Sequence, residues 1–131
     1  MTDLRLESGT RSAHLPSTIE AGAAIRAFVR VALDPSAPAD VSVVEVLTTE
    51  LVSNVVRHVG SPMTVRIIRD GSAVRVEVDD ESDEPPMLLD LGAESENGRG
   101  LVLVDSLARD WGWTAREHGK TVWFVVDTEA A

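Results

Sequence analysis

Alternation of hydrophobic and polar residues predicts two β-hairpins in this chain. In the first, the runs MTVRIIRD and SAVRVEVDD flank Asp70-Gly71, and an Asp-Gly between two alternating runs is a strong signal for a tight turn. In the second, WGWTARE and KTVWFVVD flank His118-Gly119. A mixed N-terminal run adds one irregular strand. The predicted strands are residues 3 to 14, 63 to 70, 72 to 80, 111 to 117 and 120 to 127.

Hydrophobic residues spaced three to four apart predict three helices. Ser17 and Asp40 precede the first two helices as candidate caps, because short polar side chains accept hydrogen bonds from the free N–H groups at a helix start. Gly60 and Pro62 are expected to end the second helix. The predicted helices are residues 18 to 33, 41 to 59 and 98 to 110.

The predicted elements follow one another in the order strand, helix, helix, two strands, helix and two strands. Hairpins imply an antiparallel or mixed sheet, and three helices with one sheet suggest that the helices cover one face. We therefore predict an α+β fold, a two-layer α/β sandwich with a mixed, mostly antiparallel sheet. The length of 131 residues indicates one domain, residues 1 to 131, with its core at about 15 to 127.

The overall composition argues against several classes of function. A net charge of −10 disfavours direct binding of nucleic acid. Since no apolar run reaches about 18 residues and no signal peptide is visible, we expect a soluble, cytoplasmic protein with no membrane partner. Cysteine is absent, which excludes disulfides and thiolate chemistry. The three histidines are too scattered to suggest a metal cluster.

A row of polar residues interrupts the hydrophobic second helix. Glu50, Asn54 and His58 follow one another at a spacing of four, which places them along one side of a helix, beside its apolar face. The row is either a solvated helix edge or the wall of a pocket between helix and sheet. In a pocket, the carboxylate could orient or deprotonate a hydroxyl, and the amide oxygen could bind Mg²⁺.

Three further motifs stand at the ends of predicted elements. Asp80 closes an alternating strand, where it either begins an ordinary turn or accepts a hydrogen bond from a ligand. Gly98-Arg99-Gly100 opens a helix, as a hinge and cap or as a phosphate site built from free N–H groups. Gly119-Lys120-Thr121 begins the last strand, as a simple hairpin turn or as part of a site, and Lys120 is the only lysine in the chain.

The order of these motifs resembles that of the GHKL ATPase superfamily, which includes gyrase and the histidine kinases. The motifs are ELVSNVVRH on a helix, VEVDDES at a strand end, GRGL at a helix start and GKTVW on the last strand. Within the superfamily, the chain is most similar to the small bacterial anti-sigma-factor serine/threonine kinases. The resemblance covers residues 15 to 127 and implies the histidine-kinase-like (Bergerat) ATPase fold, with ATP and Mg²⁺ as cofactors.

The resemblance also implies a role for each matching residue. Glu50 corresponds to the catalytic acid, Asn54 to the Mg²⁺ ligand, and His58 to a position near the phosphates. Asp80 corresponds to the aspartate that binds the adenine amino group, and it is chosen over Asp79 because it shares a strand face with the valines of its strand. The implied nucleotide-binding residues are Asn54, His58, Asp80, Ser82, Gly98, Arg99, Gly100, Leu101 and Thr121.

In this family the second glycine motif forms the phosphate-binding turn below an ATP lid, here residues 81 to 97, and the strand threonine, here Thr121, lies near adenine. The implied function is a protein serine/threonine kinase that acts as an anti-sigma factor. Its substrate would be a STAS-type anti-anti-sigma protein, its second partner an RNA polymerase sigma factor, and its assembly a homodimer.

One departure from the family pattern supports a different class of function. The family carries Asp-x-Gly-x-Gly after the adenine-binding aspartate, whereas this chain reads Asp80-Glu81-Ser82-Asp83-Glu84, followed by two prolines. The alternative is therefore a binding or regulatory module with the same fold and little or no nucleotide turnover. A third possibility, the detached ATP-binding part of a histidine kinase, is disfavoured because no helical dimerisation segment precedes residue 15.

Overall fold

Six strands form the sheet of this protein, for which a computed structural model describes residues 5 to 7, 9 to 33, 38 to 86 and 103 to 127. The strands are β1 (Arg5–Glu7), β2 (Thr10–Leu15), β3 (Met63–Asp70), β4 (Ala73–Asp80), β5 (Asp110–Arg116) and β6 (Gly119–Asp127). Their order in the sheet is β1-β2-β3-β4-β6-β5, so β6 lies between β4 and β5. Every pairing between these strands is antiparallel, and the parallel pairing that a mixed sheet would contain is not found among them.

The prediction of one N-terminal strand is wrong, because Gly9 divides that segment into a hairpin. Gly9 has a φ of 82°, a left-handed conformation that glycine adopts at little cost. The chain therefore reverses there, and Glu7 pairs with Thr10. The Gly9 carbonyl accepts a hydrogen bond from the Arg69 N–H at 2.9 Å, which attaches the turn to β3.

Both predicted hairpins are confirmed, with their turns displaced by one residue. Asp70 pairs with Ala73, so the first turn is Gly71-Ser72, and Gly71 has a φ of 62°. Arg116 pairs with Gly119, so the second turn consists of residues 117 and 118.

Two helices are described in full, α1 (Ala21–Ala32) and α2 (Pro38–Asn54), and α2 continues into a π-helical turn (Val55–Val59). Neither predicted cap lies where it was expected. Helix α1 begins after Glu20, whose side chain makes no capping bond, and Ser17 is three residues further upstream. Asp40 lies inside α2, because that helix begins at Pro38, and proline is favoured in a first turn since its missing N–H would have no partner there.

The ends of the second and third helices show one correct and one incorrect prediction. Gly60 ends the π-helical turn as expected, with a φ of 72° and its N–H bonded to the Val55 carbonyl at 2.8 Å. In the third helical segment, residues 103 to 107 are helical, and Asp110 already belongs to β5. The predicted end at residue 110 is therefore too late, and the predicted start at residue 98 lies outside the described residues.

The core lies between the two helices and one face of the sheet, which confirms the two-layer arrangement. Alternate residues of β4 are buried, and the fully buried side chains of α1 and α2, such as Ile25 and Leu47, pack with the sheet residues Val76 and Phe124. Each side chain of this kind contributes about 1.5–3 kcal/mol when it leaves water. Among the described residues, no helix is long and apolar enough to cross a membrane.

Candidate functional site

A cavity of about 260 Å³ opens between the C-terminal part of α2 and the adjoining ends of β4 and β6. One wall comes from the end of α2, its π-helical turn and the two strands, and combines apolar side chains with a few polar ones. The opposite wall is the segment that follows Asp80. The described residues that line the cavity are Leu51, Asn54, Val55, His58, Val59, Val78, Asp80, Ser82, Glu84, Pro85, Pro86, Lys120 and Val122.

A buried ion pair lies in this cavity. Asp80 and Lys120 are only 2% and 5% exposed, and they pair directly across β4 and β6. The Lys120 Nζ lies 3.1 Å from Asp80 Oδ1 and 3.0 Å from Oδ2. Asp80 Oδ1 also accepts the Ser82 N–H at 2.8 Å. Three contacts therefore fix the orientation of the carboxylate.

Gly119 allows the two strands to approach at the position of this ion pair. Its φ of 137° belongs to the region that favours glycine. A Cβ added there would overlap the carbonyl oxygen of Asp80 and lie 2.9 Å from the Cα of Glu81. The first residue of β6 is therefore restricted to glycine both by conformation and by space, and this restriction sets the position of Lys120.

The polar row of α2 is only partly brought together at the cavity. Asn54 and His58 line it, whereas Glu50, one turn earlier, is half-buried and is not among the lining residues. The spacing of four assumed a regular α-helix, but the chain becomes π-helical after Asn54 and bonds five residues apart. His58 therefore reaches the cavity from a π-helical turn, and single π-helical turns are frequent at functional sites.

Thr121 lies on the opposite face of the sheet, so its predicted place beside the pocket is wrong. Its hydroxyl donates a hydrogen bond of 2.6 Å to Asp79 Oδ1. Lys120 occupies the cavity face instead, together with the buried Val122. The sequence contained this signal, because alternate residues of a strand share a face and the apolar Val122 and Phe124 mark the face that Lys120 shares.

The choice of Asp80 over Asp79 is correct as to the strand face. Asp79 points away from the cavity and accepts two hydrogen bonds of 2.7 Å from Arg66, one on each carboxylate oxygen. Burial alone would raise the pKa of Asp79, but the hydrogen bonds from Arg66 and Thr121 outweigh it. The nearby charge of Arg116 acts in the same direction, and the pKa is held below its ordinary value of 3.8.

Asp79 belongs to a network on the face of the sheet opposite the cavity, here called the open face. The network consists of ion pairs and one cation–π contact. Glu77 accepts hydrogen bonds from Arg66 at 2.9 Å and from Arg75 at 2.8 Å, and these contacts outweigh the effect of burial and lower its pKa. The Arg75 guanidinium lies 4.3 Å from the centre of the Trp123 ring, within the range of a cation–π contact. These contacts make the open face a stabilising network rather than part of the cavity.

The family of the chain follows from a comparison of its sequence with models of known families. Residues 15–126 match the model of the histidine kinase-like ATPase domain. The chain belongs to this family. It is thereby a member of the GHKL superfamily, while the closer likeness to anti-sigma-factor kinases stays a prediction.

Other comparisons were less informative for this ATPase domain. A solved histidine kinase domain of the blue-light activated histidine kinase from Erythrobacter litoralis is similar to it, with 21% sequence identity and a TM-score of 0.47. The match covers 68% of this chain and 45% of that protein, so the chain spans less than half the length of its structural relative. A comparison with curated protein sequences found no match.

Family membership supports ATP binding by this domain, and the cavity has suitable features for a purine. Its volume is close to the lower end of the range for small-molecule sites, about 300–1,000 Å³. Such sites combine apolar walls with a few polar groups, and here Leu51 and Val122 supply apolar surface while Asp80 and Lys120 supply hydrogen-bonding groups.

The family also implies Mg²⁺, and Asn54 is a suitable ligand in the cavity. Mg²⁺ prefers oxygen ligands and commonly takes one or two from the protein and the rest from phosphates and water. An amide oxygen of Asn54 meets that requirement. Within the described ranges, no cluster of three acidic or histidine side chains offers an alternative metal site.

Ser82 lines the cavity, and its hydroxyl oxygen accepts the Glu84 N–H at 3.1 Å, while its own N–H holds Asp80. The predicted phosphate-binding turn, Gly98, Arg99, Gly100 and Leu101, lies outside the described residues. Most of the predicted lid, from residue 87 onward, lies outside them as well.

Proposed function

We propose that this domain binds Mg·ATP in the cavity between α2 and the sheet and transfers phosphate to a serine or threonine of a protein partner. The main support for a nucleotide site is that Asn54 and the buried Asp80–Lys120 pair line the same cavity. This cavity lies in a histidine kinase-like ATPase domain. Asp80 would hold the base, and Asn54 would hold the metal.

The catalytic part of the proposal assigns Glu50 to the hydroxyl of the partner. Glu50 is half-buried and lies one helical turn before Asn54, the proposed metal ligand. Its side chain does not line the cavity. In this position it would accept a proton from a hydroxyl that approaches from outside. Bound Mg²⁺ would neutralise charge on the phosphates, which together with positioning supplies most of the catalysis in phosphoryl transfer.

The partners in this proposal are a STAS-type anti-anti-sigma protein as substrate and an RNA polymerase sigma factor as the sequestered protein. The support is the order of sequence motifs, which resembles that of the anti-sigma-factor kinases. We propose a homodimer on the same ground. Sedimentation of the purified chain tests this state, and a monomer at micromolar concentration would contradict it.

A second candidate function is a binding module without turnover, and three features of the site support it. The segment after Asp80 contains two prolines in the cavity wall and no glycine through residue 86. The Asp80 carboxylate already has a cationic partner in Lys120. Glu50 is absent from the lining. These features would slow exchange or transfer without removing the cavity.

Two measurements test the proposed function. Calorimetric titration with ATP should show binding that depends on Mg²⁺, and Asn54→Ala should weaken it strongly while leaving the circular dichroism spectrum unchanged. Equal ATP affinity for wild type and Asn54→Ala would contradict the assignment of Asn54.

Transfer of labelled phosphate to a STAS protein then separates the kinase from the binding module. Glu50→Gln should abolish transfer. Glu45→Gln, in the same helix, is the matched control, since Glu45 pairs with Arg30 at 2.6 Å and should leave transfer intact. No transfer by the wild type, together with partner binding that survives Glu50→Gln, would favour the binding module.

A further inference from the structure

We infer that Lys120 is a base-recognising residue, which with Asp80 forms a donor–acceptor pair for the N1 and N6 positions of adenine. This inference rests on the proposed function, because it assumes that an adenine nucleotide occupies the cavity. It goes beyond that function by giving the recognition of the base to two side chains instead of to the aspartate alone.

The position of the Lys120 ammonium is unusual for a lysine. It lies in the cavity lining, on the same face as Asp80, and the residue is only 5% exposed. A lysine ordinarily keeps its charged end in water, because burial of an unpaired ammonium is costly. Here the charge is held by Asp80 at 3.0 Å, so the ammonium stays within the cavity.

Asp80 and Lys120 retain hydrogen-bonding positions that their described contacts do not use. A carboxylate offers about four acceptor positions and an ammonium three donors. Asp80 Oδ1 accepts from the Ser82 N–H and from Lys120, and the Lys120 Nζ also lies 3.0 Å from Oδ2 as an ion pair. Even when the contact with Oδ2 takes one donor and one acceptor, the described contacts leave at least one acceptor position on Oδ2 and one N–H on Lys120, on atoms 3.0 Å apart.

These positions match one edge of adenine. The Watson–Crick edge of adenine carries an amino group, which donates, directly beside N1, which accepts. The amino group would donate to Asp80 Oδ2 while N1 would accept from Lys120, without separating the two side chains. Leu51, Val55 and Val122 supply the apolar walls on which the ring would pack.

The test compares three nucleotides by calorimetry. 1-Deaza-ADP has a C–H in place of N1 and keeps the amino group, so we expect it to bind the wild-type domain about 10-fold or more weakly than ADP, as for loss of a hydrogen bond to a charged group. 7-Deaza-ADP, which is altered on another edge, is the matched control and should bind like ADP. Equal affinity for ADP and 1-deaza-ADP would overturn the inference.

Lys120→Met supplies a second test, because methionine keeps much of the length of the side chain without the donor. The variant should bind ADP more weakly than wild type and should no longer distinguish ADP from 1-deaza-ADP. Arg116→Met is the control variant. Its guanidinium contacts the Asp80 carbonyl oxygen at 3.4 Å but does not line the cavity, so discrimination at N1 should persist.

The possible results separate the inference from the proposed function. A wild-type domain that binds no adenine nucleotide overturns the proposed function and the inference with it. A domain that binds ADP without discriminating at N1 overturns the inference alone. Tighter ADP binding by Lys120→Met also overturns it, since Lys120 would then compete with adenine for Asp80. If Lys120→Met does not fold, the wild-type ratio decides.

Discussion

Replacing Asp80 with asparagine measures how strongly the buried ion pair stabilises the fold. The substitution keeps the shape of the side chain and an oxygen that can accept the Ser82 N–H, but it leaves the Lys120 ammonium without a counter-charge. At the observed separation of 3.0 Å, two unit charges attract by about 5 kcal/mol at an effective dielectric constant of about 20.

The expected loss is smaller than this attraction, because the amide oxygen still accepts a hydrogen bond. Removing one partner of a buried pair costs about 3–5 kcal/mol, and we expect about 3 kcal/mol for Asp80→Asn. In a domain of this size that loss corresponds to a fall in Tm of about 10 °C. Urea unfolding followed by tryptophan fluorescence measures the change in the free energy of unfolding.

A double-mutant cycle gives the decisive result. Lys120→Met in the Asp80→Asn background removes the unpaired charge, so the double variant should be more stable than the sum of the two single changes predicts, by about 2 kcal/mol. The exposed pair Arg109–Asp127 is the control, with side chains 54% and 57% exposed, and Asp127→Asn should cost less than about 1 kcal/mol. A coupling energy below about 0.5 kcal/mol between Asp80 and Lys120 would refute the argument.

Three further changes have defined outcomes. Gly112→Ala would place a methyl group 2.8 Å from the Trp123 ring, so we expect a loss of about 1–3 kcal/mol in urea unfolding with an altered fluorescence spectrum, and unchanged values would contradict this packing. Ser17→Ala removes a buried hydroxyl that has no partner among the described residues, so the free energy of unfolding should stay equal or rise by about 1 kcal/mol. A loss of stability would instead indicate that the Ser17 hydroxyl caps the helix. Because Arg66 holds the pKa of Asp79 below 3.8, this pair stabilises the fold fully above the unfolded-state pKa and loses its effect as pH falls through the folded-state value. As pH is lowered, the free energy of unfolding should therefore fall less steeply for Asp79→Asn than for wild type. Parallel curves of free energy against pH would count against the contribution of this pair.

The parts of the fold that could be predicted from sequence are those in which one local pattern decides the structure. Strand β4 alternates without interruption, so the inward direction of Asp80 follows from its valines. The same alternation gives the inward direction of Lys120, but the family's strand threonine drew attention to Thr121 instead. The error arose because the family motif was preferred to the alternation of β6, and the alternation predicts the correct residue.

Two further errors concern features that one local pattern does not decide. A serine before a hydrophobic run predicts a cap, yet α1 begins only at Ala21 and the Ser17 hydroxyl is buried. The π-helical turn after Asn54 has no simple sequence signal, because Val55 and Val56 would fit an α-helix equally well. Sequence therefore predicts which residues surround the cavity better than it predicts how each one reaches it.

The single lysine of the chain gives the cavity its own spectroscopic reporter. Apart from the α-amino group, Lys120 carries the only amine of the sequence, and it lies beside Asp80 with 5% exposure. Reductive methylation with ¹³C-formaldehyde keeps the positive charge and would add one methyl resonance from inside the site. The rate of labelling would measure how often the cavity opens, and the chemical shift would follow its occupancy without isotopic enrichment of the protein.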